Sequence, residues 1–574
     1  MFRIDEGELE EFEVSPGTTE AQPVNRKGKR VYVRHVPMET LGLDPDDDFF
    51  LDTGQEETAT VETEVGFETV DERRFNWRKF WAFSGPGFLM SLAFLDPGNL
   101  ESDLQLGAVA GYRLLWVLLY STVVGGVFQL LSAKLGVVSG RHLAELCRFE
   151  YDKWTKNALW IATELAIVGS DVQEVVGSAV ALNILFKFPL WLGVIVTALD
   201  TFTFMFLHQK GVRKLEALFF ALISCLTICF FVEFAIGKPD IAGVLRGTVV
   251  PTLPKNTYVQ AVGIFCIHYV LNLFSFVSPL PLYPLPLLPF YPCPTLPPAP
   301  FYSLGAGMVG AVIMPHNLFL HSALVQSRRV DRTRGSKLRE ATFYFSLESI
   351  IALVLSFLVN AAVVSVFAKG FFYDPLPGHE DSTIGLHTAG DLLRERFGQT
   401  AQIIWALGLL AAGQASTMTG TFAGQYVMHG FLQLRLPPWK RVILTRGVAL
   451  VPALAVALAF QNQLDKVDEW INVLQSLQLP FALLPLLSFC CNKRVLGDMV
   501  LEGTSKRLMQ LSAALVLCIN AYLVLEFVDT SNPWLISLAV LLGTTYFTFC
   551  AHVAGFFSLI DRCRRRAYTR MSTS

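Results

Sequence analysis

An acid, a helix breaker and an amide follow one another where an apolar run would otherwise continue. Asp96, Pro97, Gly98 and Asn99 lie inside an apolar stretch that begins near Trp81. A charge at the centre of a bilayer costs a few kcal/mol or more, so an acid there is a functional residue by default. Proline removes a backbone donor and glycine weakens a helix, and the carbonyl groups that they free need a partner such as a bound cation. The stretch therefore predicts a cation site within the membrane.

A second interruption of the same kind lies in the other half of the chain. Met314, Pro315, His316 and Asn317 stand in the middle of an apolar run. Interrupted helices in corresponding positions of two halves indicate a transporter with its site near the bilayer midplane. The competing interpretation is a pair of proline kinks that serve only helix packing. The Pro-x-Asn spacing at both breaks, together with Asp96, favours the binding site.

The donor types at the two breaks suit transition metals. Carboxylate and amide oxygens bind hard and borderline cations, whereas a thioether is a soft ligand that suits Ca²⁺ and Mg²⁺ poorly. Asp96, Asn99 and Met314 together favour Mn²⁺, Fe²⁺, Co²⁺ or Cd²⁺, although Met314 taken alone would be a packing residue. His316 fits a ligand, a gate or a proton carrier, since histidine changes its charge near physiological pH. It fits a buried structural histidine equally well.

Three acids recur on the third predicted span. Glu164, Asp171 and Glu174 are separated by seven and three residues, which places them on one stripe of a helix. Acids on a buried stripe indicate a proton relay or an ion path. The alternative is a structural role, in which they cap helices or pair with basic residues. Arg328, near the predicted cytosolic end of the sixth span, is a candidate partner.

The composition identifies the elements that position these residues as membrane helices. The chain has 574 residues, of which 52% are hydrophobic and 17% are charged, and its mean hydropathy is +0.44. Many apolar runs reach the roughly 20 residues that span a bilayer, which predicts an all-α polytopic membrane protein with about 12 transmembrane helices. The predicted spans are 81–108, 113–138, 157–186, 190–207, 214–236, 258–264 continuing at 304–326, 342–367, 400–428, 441–460, 468–490, 508–528 and 533–560.

The charge distribution predicts that both ends of the chain are cytosolic. Basic loops follow the even-numbered spans, and positively charged loops stay on the cytosolic side. Residues 1–75 are acidic and cannot build a core, so we predict a disordered cytosolic tail. Residues 561–574 form a basic cytosolic tail. The ten cysteines form no CxxC pair and indicate no function.

One segment does not fit a membrane helix. Residues 265–307 interrupt the sixth span, and ten prolines lie between Pro279 and Pro300. Such a run favours polyproline II, and its unsatisfied backbone is costly in lipid. Two interpretations stay open, a product of alternative or faulty splicing and an extracellular loop.

These motifs resemble those of the NRAMP family of proton-coupled divalent-metal transporters and are close to its eukaryotic members. The resemblance runs from about Trp81 to the last span. It rests on the two breaks, with His321-Ser322-Ala323 after the second, and on Gly85-Pro86-Gly87, Gly413-Gln414 with Ser416-Thr417, and Gln475 to Phe481. It implies a transmembrane domain over 81–560, with two inverted five-helix repeats at about 81–236 and 258–490, broken helices one and six, and two further C-terminal helices at about 508–560.

The resemblance implies a metal-ligand set drawn from both breaks. In the family, two side chains of the first break, one side chain of the second and a backbone carbonyl of each bind the metal. A glutamine of the tenth span joins them in some states, and two glutamines match that position. The implied ligands are Asp96, Asn99, Met314, the carbonyls of Ala93 and Ala311, and Gln475 or Gln478.

The resemblance also implies a proton pathway and a function. The family's proton-pathway acids and histidine match Asp171, Glu174 and His316. Asp96 is expected to share in proton coupling. The acidic stripe of the third span adds Glu164, with Arg328 as the candidate partner of these acids. The expected function is a symporter that carries Fe²⁺ or Mn²⁺ and protons into the cytosol by alternating access. Family members work at the plasma membrane or in endosomal and lysosomal membranes, and the sequence does not choose between them.

Other functions compete with this one. A sodium-coupled amino-acid carrier uses a similar scaffold, but a substrate carboxylate would meet bare helix N-termini rather than an acid. An intramembrane metalloenzyme is disfavoured because no His-Glu-x-x-His motif is present. Because of the proline-rich segment, a further alternative is that the chain is an inactive or regulatory splice-type product of such a transporter. We expect no enzymatic activity, no resident cofactor and no nucleic-acid partner; the expected partners are metal ions, protons and the lipid bilayer.

Overall fold

The protein is helical throughout the part that its computed structural model describes. That part comprises residues 75–209, 212–250, 311–328, 330–332, 334–374, 384–433, 438–460, 464–526 and 533–555, and no strand occurs in it. Six helical segments within these ranges are long and apolar enough to cross a membrane. The proline-rich segment 265–307, nearly all of the tail 1–75 and the tail 561–574 lie outside the described residues.

The described helices follow the predicted spans closely, within a few residues at most ends, whereas residues 258–264 and 304–310 of the sixth predicted span lie outside the described residues. The α-helices, numbered in chain order, are α1 Trp77–Phe83, α2 Pro86–Ser91, α3 Pro97–Ala110, α4 Leu115–Ser139, α5 Leu143–Glu150, α6 Lys153–Phe186, α7 Leu190–Gln209, α8 Val212–Gly237, α9 Ile241–Val249, α10 Pro315–Leu324, α11 Gly335–Phe367, α12 Leu386–Phe397, α13 Gln399–Leu432, α14 Pro438–Ala459, α15 Leu464–Cys490, α16 Lys493–Leu496, α17 Gly503–Glu526 and α18 Pro533–Val553.

The first membrane helix is broken where the sequence predicts it. Helix α2 passes into a 3₁₀ turn at Leu92–Phe94, and α3 begins at Pro97. Asp96 between them is extended (φ −75°, ψ 164°), and its side chain accepts a hydrogen bond from the backbone N–H of Asn99. Asp96 is therefore the N-cap of α3, and Pro97 occupies the first helical position, where a missing N–H costs nothing. The interruption is a capped helix start and not a kink within one helix.

The second break has the same construction. Ala311 and Val312 are helical, Ile313 and Met314 are not, and α10 begins at Pro315. Met314 has an extended backbone (φ −76°, ψ 133°) and makes no capping hydrogen bond with its side chain. Both breaks thus present the N-terminus of a proline-initiated helix in the interior of the protein.

Helices α6 and α13 form the long central pair. Each has 34 residues and so is about 50 Å long. A Cβ atom at Gly413 would lie 2.2 Å from Oγ of Ser178, and one at Gly420 would lie 2.7 Å from Oδ1 of Asp171. These distances are too short for any side chain, so glycine at both positions allows the two helices to approach closely.

Candidate metal site at the paired helix breaks

Asp96 presents a buried carboxylate with one free oxygen. Its side chain is 1% exposed. Oδ1 accepts hydrogen bonds from the backbone N–H of Asn99, at 3.2 Å, and from the side-chain amide of Asn99. Oδ2 of Asp96 and Oδ1 of Asn99 have no hydrogen-bond partner among the described residues. A buried polar atom without a partner is costly, so these two oxygens are available to a cation.

The fold brings the two breaks together. The side-chain amide of Asn317, three residues after Met314, donates to the carbonyl of Ala93 at 3.5 Å. A Cβ atom at Gly125 on α4 would lie 3.2 Å from Ile313 and 3.4 Å from Phe94, so the same glycine touches both interruptions. The two non-helical segments therefore share one interior region, as the transporter interpretation requires.

Four further predicted ligands, of the second break and of the tenth predicted span, are buried. Met314 is 2% exposed and Ala311 is fully buried. Gln475 and Gln478 on α15 are 0% and 5% exposed, and the amide oxygen of each lacks a partner among the described residues. Because all four residues are buried, their donor groups could bind only an ion in the interior of the protein.

A chain of amides links Gln475 to the first break. The side-chain nitrogen of Gln475 donates to Oε1 of Gln173 at 3.1 Å. A Cβ atom at Gly98 would lie 2.7 Å from that same oxygen. Gln475 is therefore one residue removed from the break, and no comparable link is described for Gln478. This geometry favours Gln475 as the glutamine of the site.

The amide chain contains residues that the sequence analysis did not identify. Gln173 also donates to Oδ1 of Asn472 at 2.9 Å, and Asn472 donates to Oγ of Ser102 at 3.0 Å. Asn360 on α11 donates to the carbonyl of Phe94 at 2.9 Å. The available signal was an isolated amide inside an apolar run, which by itself does not distinguish a site residue from a buried structural one.

Two of the three predicted acids lie on a buried stripe. Asp171 and Glu174 are each 2% exposed, and both face Gly420 of α13. Oε1 of Glu174 accepts a hydrogen bond from Ser170 at 2.9 Å. Glu164 is half-buried and accepts a hydrogen bond from the indole of Trp160 at 3.0 Å. The structure thus separates Glu164 from the interior pair by exposure, although all three share α6.

Arg328 follows the 3₁₀ turn Val325–Ser327 at the end of the second broken helix and contacts the start of the first one. Its guanidinium donates to the carbonyl of Ser84 at 2.7 Å, directly before α2. It is close enough to Glu348 on α11 for the two charges to interact. Glu348 accepts hydrogen bonds from the backbone N–H groups of Gly85, at 2.6 Å, and Phe88, at 3.1 Å. These contacts join Arg328 to the start of the first broken helix, and its role as a partner of the acids of α6 stays a prediction.

The two histidines of α10 are buried. His316 is 3% exposed and His321 is 0% exposed. Nδ1 of His316 and both ring nitrogens of His321 lack partners among the described residues. No group of three His, Cys, Asp or Glu side chains with metal-site geometry occurs in the described residues. The donors at the breaks are instead a mixed set of carboxylate, amide, thioether and carbonyl groups.

Comparison with known proteins agrees with this arrangement. The family model described as "Natural resistance-associated macrophage protein-like" matches residues 87–268 and 290–526. The unmatched residues 269–289 lie wholly within the proline-rich segment. The chain is 46% identical over 473 residues to the "Metal transporter nramp1 homolog" of Dictyostelium discoideum, covering 82% of this chain and 79% of that protein. It is also 46% identical over 495 residues to "Metal transporter Nramp3" of Arabidopsis thaliana, covering 82% and 88%.

A solved structure shows the same fold. The crystal structure of a manganese transporter mutant of Eremococcus coleocola superposes with a TM-score of 0.70 at 29% sequence identity. The match covers 86% of this chain and 97% of that one. The predicted polytopic helical membrane fold and the predicted resemblance are confirmed by these matches. The chain belongs to the Nramp family of metal transporters.

Proposed function

We propose that this protein is a proton-coupled symporter that imports divalent transition-metal ions, of the Fe²⁺ and Mn²⁺ class, into the cytosol by alternating access. The observation that supports it best is the meeting of the two helix breaks. There Asp96 and Asn99 each offer an oxygen without a partner in the described residues, close to the buried thioether-bearing break. The Eremococcus relative is titled a manganese transporter, which agrees with this donor set.

The proposed ligands have complementary roles. Asp96 supplies the negative charge that attracts a divalent cation, and Asn99 supplies a neutral oxygen. Met314 supplies the soft donor that favours transition metals over Ca²⁺. The carbonyl groups of Ala93 and Ala311 and the amide oxygen of Gln475 complete the set. All these groups are buried, so hydration is exchanged for protein ligands when the ion enters.

Proton coupling is proposed for the interior acids and the histidine of α10. Asp171 and Glu174 lie on the same helix as Gln173, which contacts the break at Gly98. His316 follows the second break by two residues. These groups give a proton an interior path beside the metal site. Asp96 joins the two routes because its carboxylate can hold a metal ion or a proton.

The architecture that we propose has twelve spans in two inverted five-helix repeats, with both ends of the chain in the cytosol. The helices described here fit that arrangement in order and length. The basic loops support the orientation. We place the protein in the plasma membrane or in endosomal or lysosomal membranes.

The test is Mn²⁺ uptake at an external pH of about 5.5 and about 7.4, where histidine charge changes. We expect uptake above background, stimulation at the lower pH, and acidification of the cytosolic side with each ion imported. Asp96→Asn, matched for expression in the same membrane, should reduce uptake to background. Uptake that is independent of both pH and Asp96 would contradict the proposal, and uptake blocked by amino acids would favour an amino-acid carrier.

A further inference from the structure

Asp103 is a fully buried carboxylate that the proposed metal site does not use. Its side chain is 0% exposed, and neither carboxylate oxygen has a hydrogen-bond partner among the described residues. The charged group that the structure brings near it is Asp96, which repels it. Its neighbour in the sequence, Ser102, is by contrast bonded to Asn472. An ionised carboxylate in this position needs a positive partner, because burying an unpaired charge is very costly.

The position of Asp103 relates it directly to the first break. It lies seven residues after Asp96, which is about two turns, or about 10 Å, along the same face of α3. Helix α3 starts at the break, so Asp103 stands beyond the metal site in the direction away from α2. The proposed topology makes this the external side.

The facing helix brings a second oxygen to the same level. A Cβ atom at Gly107 would lie 2.3 Å from the carbonyl oxygen of Val364 on α11, so the two backbones touch there. Directly after α3, a Cβ atom at Gly111 would lie 2.7 Å from the ring of Phe372, which follows α11, so α3 and α11 run in the same direction. Asp103 precedes Gly107 by four residues on α3, and Asn360 precedes Val364 by four residues on α11. Because the two helices run in the same direction, the backbones of Asp103 and Asn360 lie at about the same height along them.

The side chain of Asn360 is oriented by a hydrogen bond to the first break, and its amide oxygen has no hydrogen-bond partner among the described residues. Its side-chain nitrogen donates to the carbonyl of Phe94 at 2.9 Å. Its Oδ1 has no partner among the described residues, and its side chain is 2% exposed. Three buried acceptor atoms, two from Asp103 and one from Asn360, thus lie between the break and the contact of Gly107 with Val364, and none of them has a donor among the described residues.

We propose that Asp103 and Oδ1 of Asn360 form a second cation site, composed only of oxygen ligands, through which divalent metal passes on its way to Asp96. The inference rests on the proposed transport function for the identity of its cation. Carboxylate and amide oxygens suit Mn²⁺ and also Ca²⁺ and Mg²⁺, and the site lacks the thioether that discriminates among them. The second site therefore attracts divalent ions with little selection, and selection follows at the two breaks.

Metal binding to the purified full-length protein separates the two sites. The probe is Mn²⁺ in equilibrium dialysis, with the bound metal measured by mass spectrometry at a saturating concentration. We expect Asp96→Asn and Asp103→Asn each to lose one equivalent of bound Mn²⁺, and the double variant to lose both. Glu101→Gln is the matched control, because Glu101 is a buried acid of the same helix that already accepts hydrogen bonds from Leu386 and Gln105.

The outcomes distinguish this inference from the proposed function. If Asp103→Asn binds as much Mn²⁺ as the parent while Asp96→Asn binds none, the second site is refuted and the first stands. If Asp96→Asn leaves binding unchanged and Asp103→Asn abolishes it, the second site stands and the assignment of the first fails. In uptake, Asp103→Asn should raise the KM for Mn²⁺ about tenfold and weaken inhibition by Ca²⁺. An unchanged KM with unchanged Ca²⁺ inhibition would overturn the inference.

Discussion

At the scale of single residues, the break at Asp96 shows which side chains a sequence reveals and which it conceals. Asp96 and Met314 were identified because an acid and a thioether beside a proline are unusual in an apolar run. Asn360 was not identified, although it holds the carbonyl of Phe94 across a sequence separation of 266 residues. A lone amide has no periodic signal, and its partner is determined only when the helices pack. The sequence thus shows where the two breaks lie and which side chains they carry, whereas the amide network around them was not predictable from it.

The soft-donor role that we propose for Met314 predicts a change in ion preference on its removal. Met314→Ala should raise Ca²⁺ transport relative to Mn²⁺ several-fold, because the remaining ligands are oxygens. The measurement is competitive uptake of the two ions. Met509→Ala, which removes a buried methionine of α17, should leave the ratio unchanged. Equal loss of both ions in Met314→Ala would show that Met314 serves only packing.

Gly98 gives a second prediction at this scale. A Cβ atom there would lie 2.7 Å from Oε1 of Gln173, which accepts the hydrogen bond from Gln475. Gly98→Ala should therefore displace Gln173 and lower the maximal rate of Mn²⁺ uptake by about tenfold, about 1.4 kcal/mol in the barrier. Gly447→Ala is the control, because no atom lies within 4 Å of a Cβ atom at that helical glycine. Equal rates in both variants would mean that the amide chain does not support the site.

At the scale of elements, the start of α2 is held by α11. Glu348 accepts hydrogen bonds from two N–H groups at the N-terminus of α2. A negative charge there also interacts favourably with the positive end of the helix dipole. Lys79 of α1 forms an ion pair at 2.5 Å with Glu340, which lies about two turns before Glu348 on α11. The first broken helix is therefore fastened to α11 at two points. The sequence indicated the broken helix but not these contacts with α11, because no sequence pattern around Glu340 or Glu348 identifies the partner of either glutamate.

Removing Glu348 should destabilise this connection. Glu348→Ala leaves the N–H groups of Gly85 and Phe88 without their acceptor, at a cost of about 1–3 kcal/mol. Glu348→Gln retains an acceptor and should cost less. The measurement is the thermal midpoint of the detergent-solubilised protein. Glu502→Ala, which removes an exposed partner of Lys493, should change the midpoint little. A midpoint in Glu348→Ala equal to that of the parent would show that water replaces the acceptor.

At the scale of the whole molecule, hydropathy and loop charge were sufficient for the fold class. The apolar runs fixed the helices to within a few residues at most ends because the bilayer dictates their length. Predicted spans one and two are joined by a short 3₁₀ turn at Gly111–Leu114, close to the gap that hydropathy predicted between residues 108 and 113. Helix α3 ends at its C-cap Gly111, whose φ of 63° is a conformation that glycine adopts readily.

The proline-rich segment gives the prediction at this scale. The family model does not match residues 269–289, so the transporter scaffold does not require them. A chain that lacks residues 269–289 should import Mn²⁺ at least as fast per molecule at the surface as the full chain. The measurement is uptake normalised to surface labelling, with Asp96→Asn in both backgrounds as the control. If only the full chain transports, the segment is a necessary part of the transporter.

The hydrogen bond from Asn317 to the carbonyl of Ala93 has a consequence for the kinetics of transport. That carbonyl is a proposed ligand, and a cation that takes it must displace the amide of the opposite break. At 3.5 Å the bond is weak, worth less than about 1 kcal/mol, so displacement is easy. When the ion leaves, the amide of Asn317 can re-form its hydrogen bond to the carbonyl of Ala93. We therefore expect Asn317 to compete with the bound ion for this carbonyl and to shorten the residence time of the ion, which a carrier needs more than tight binding.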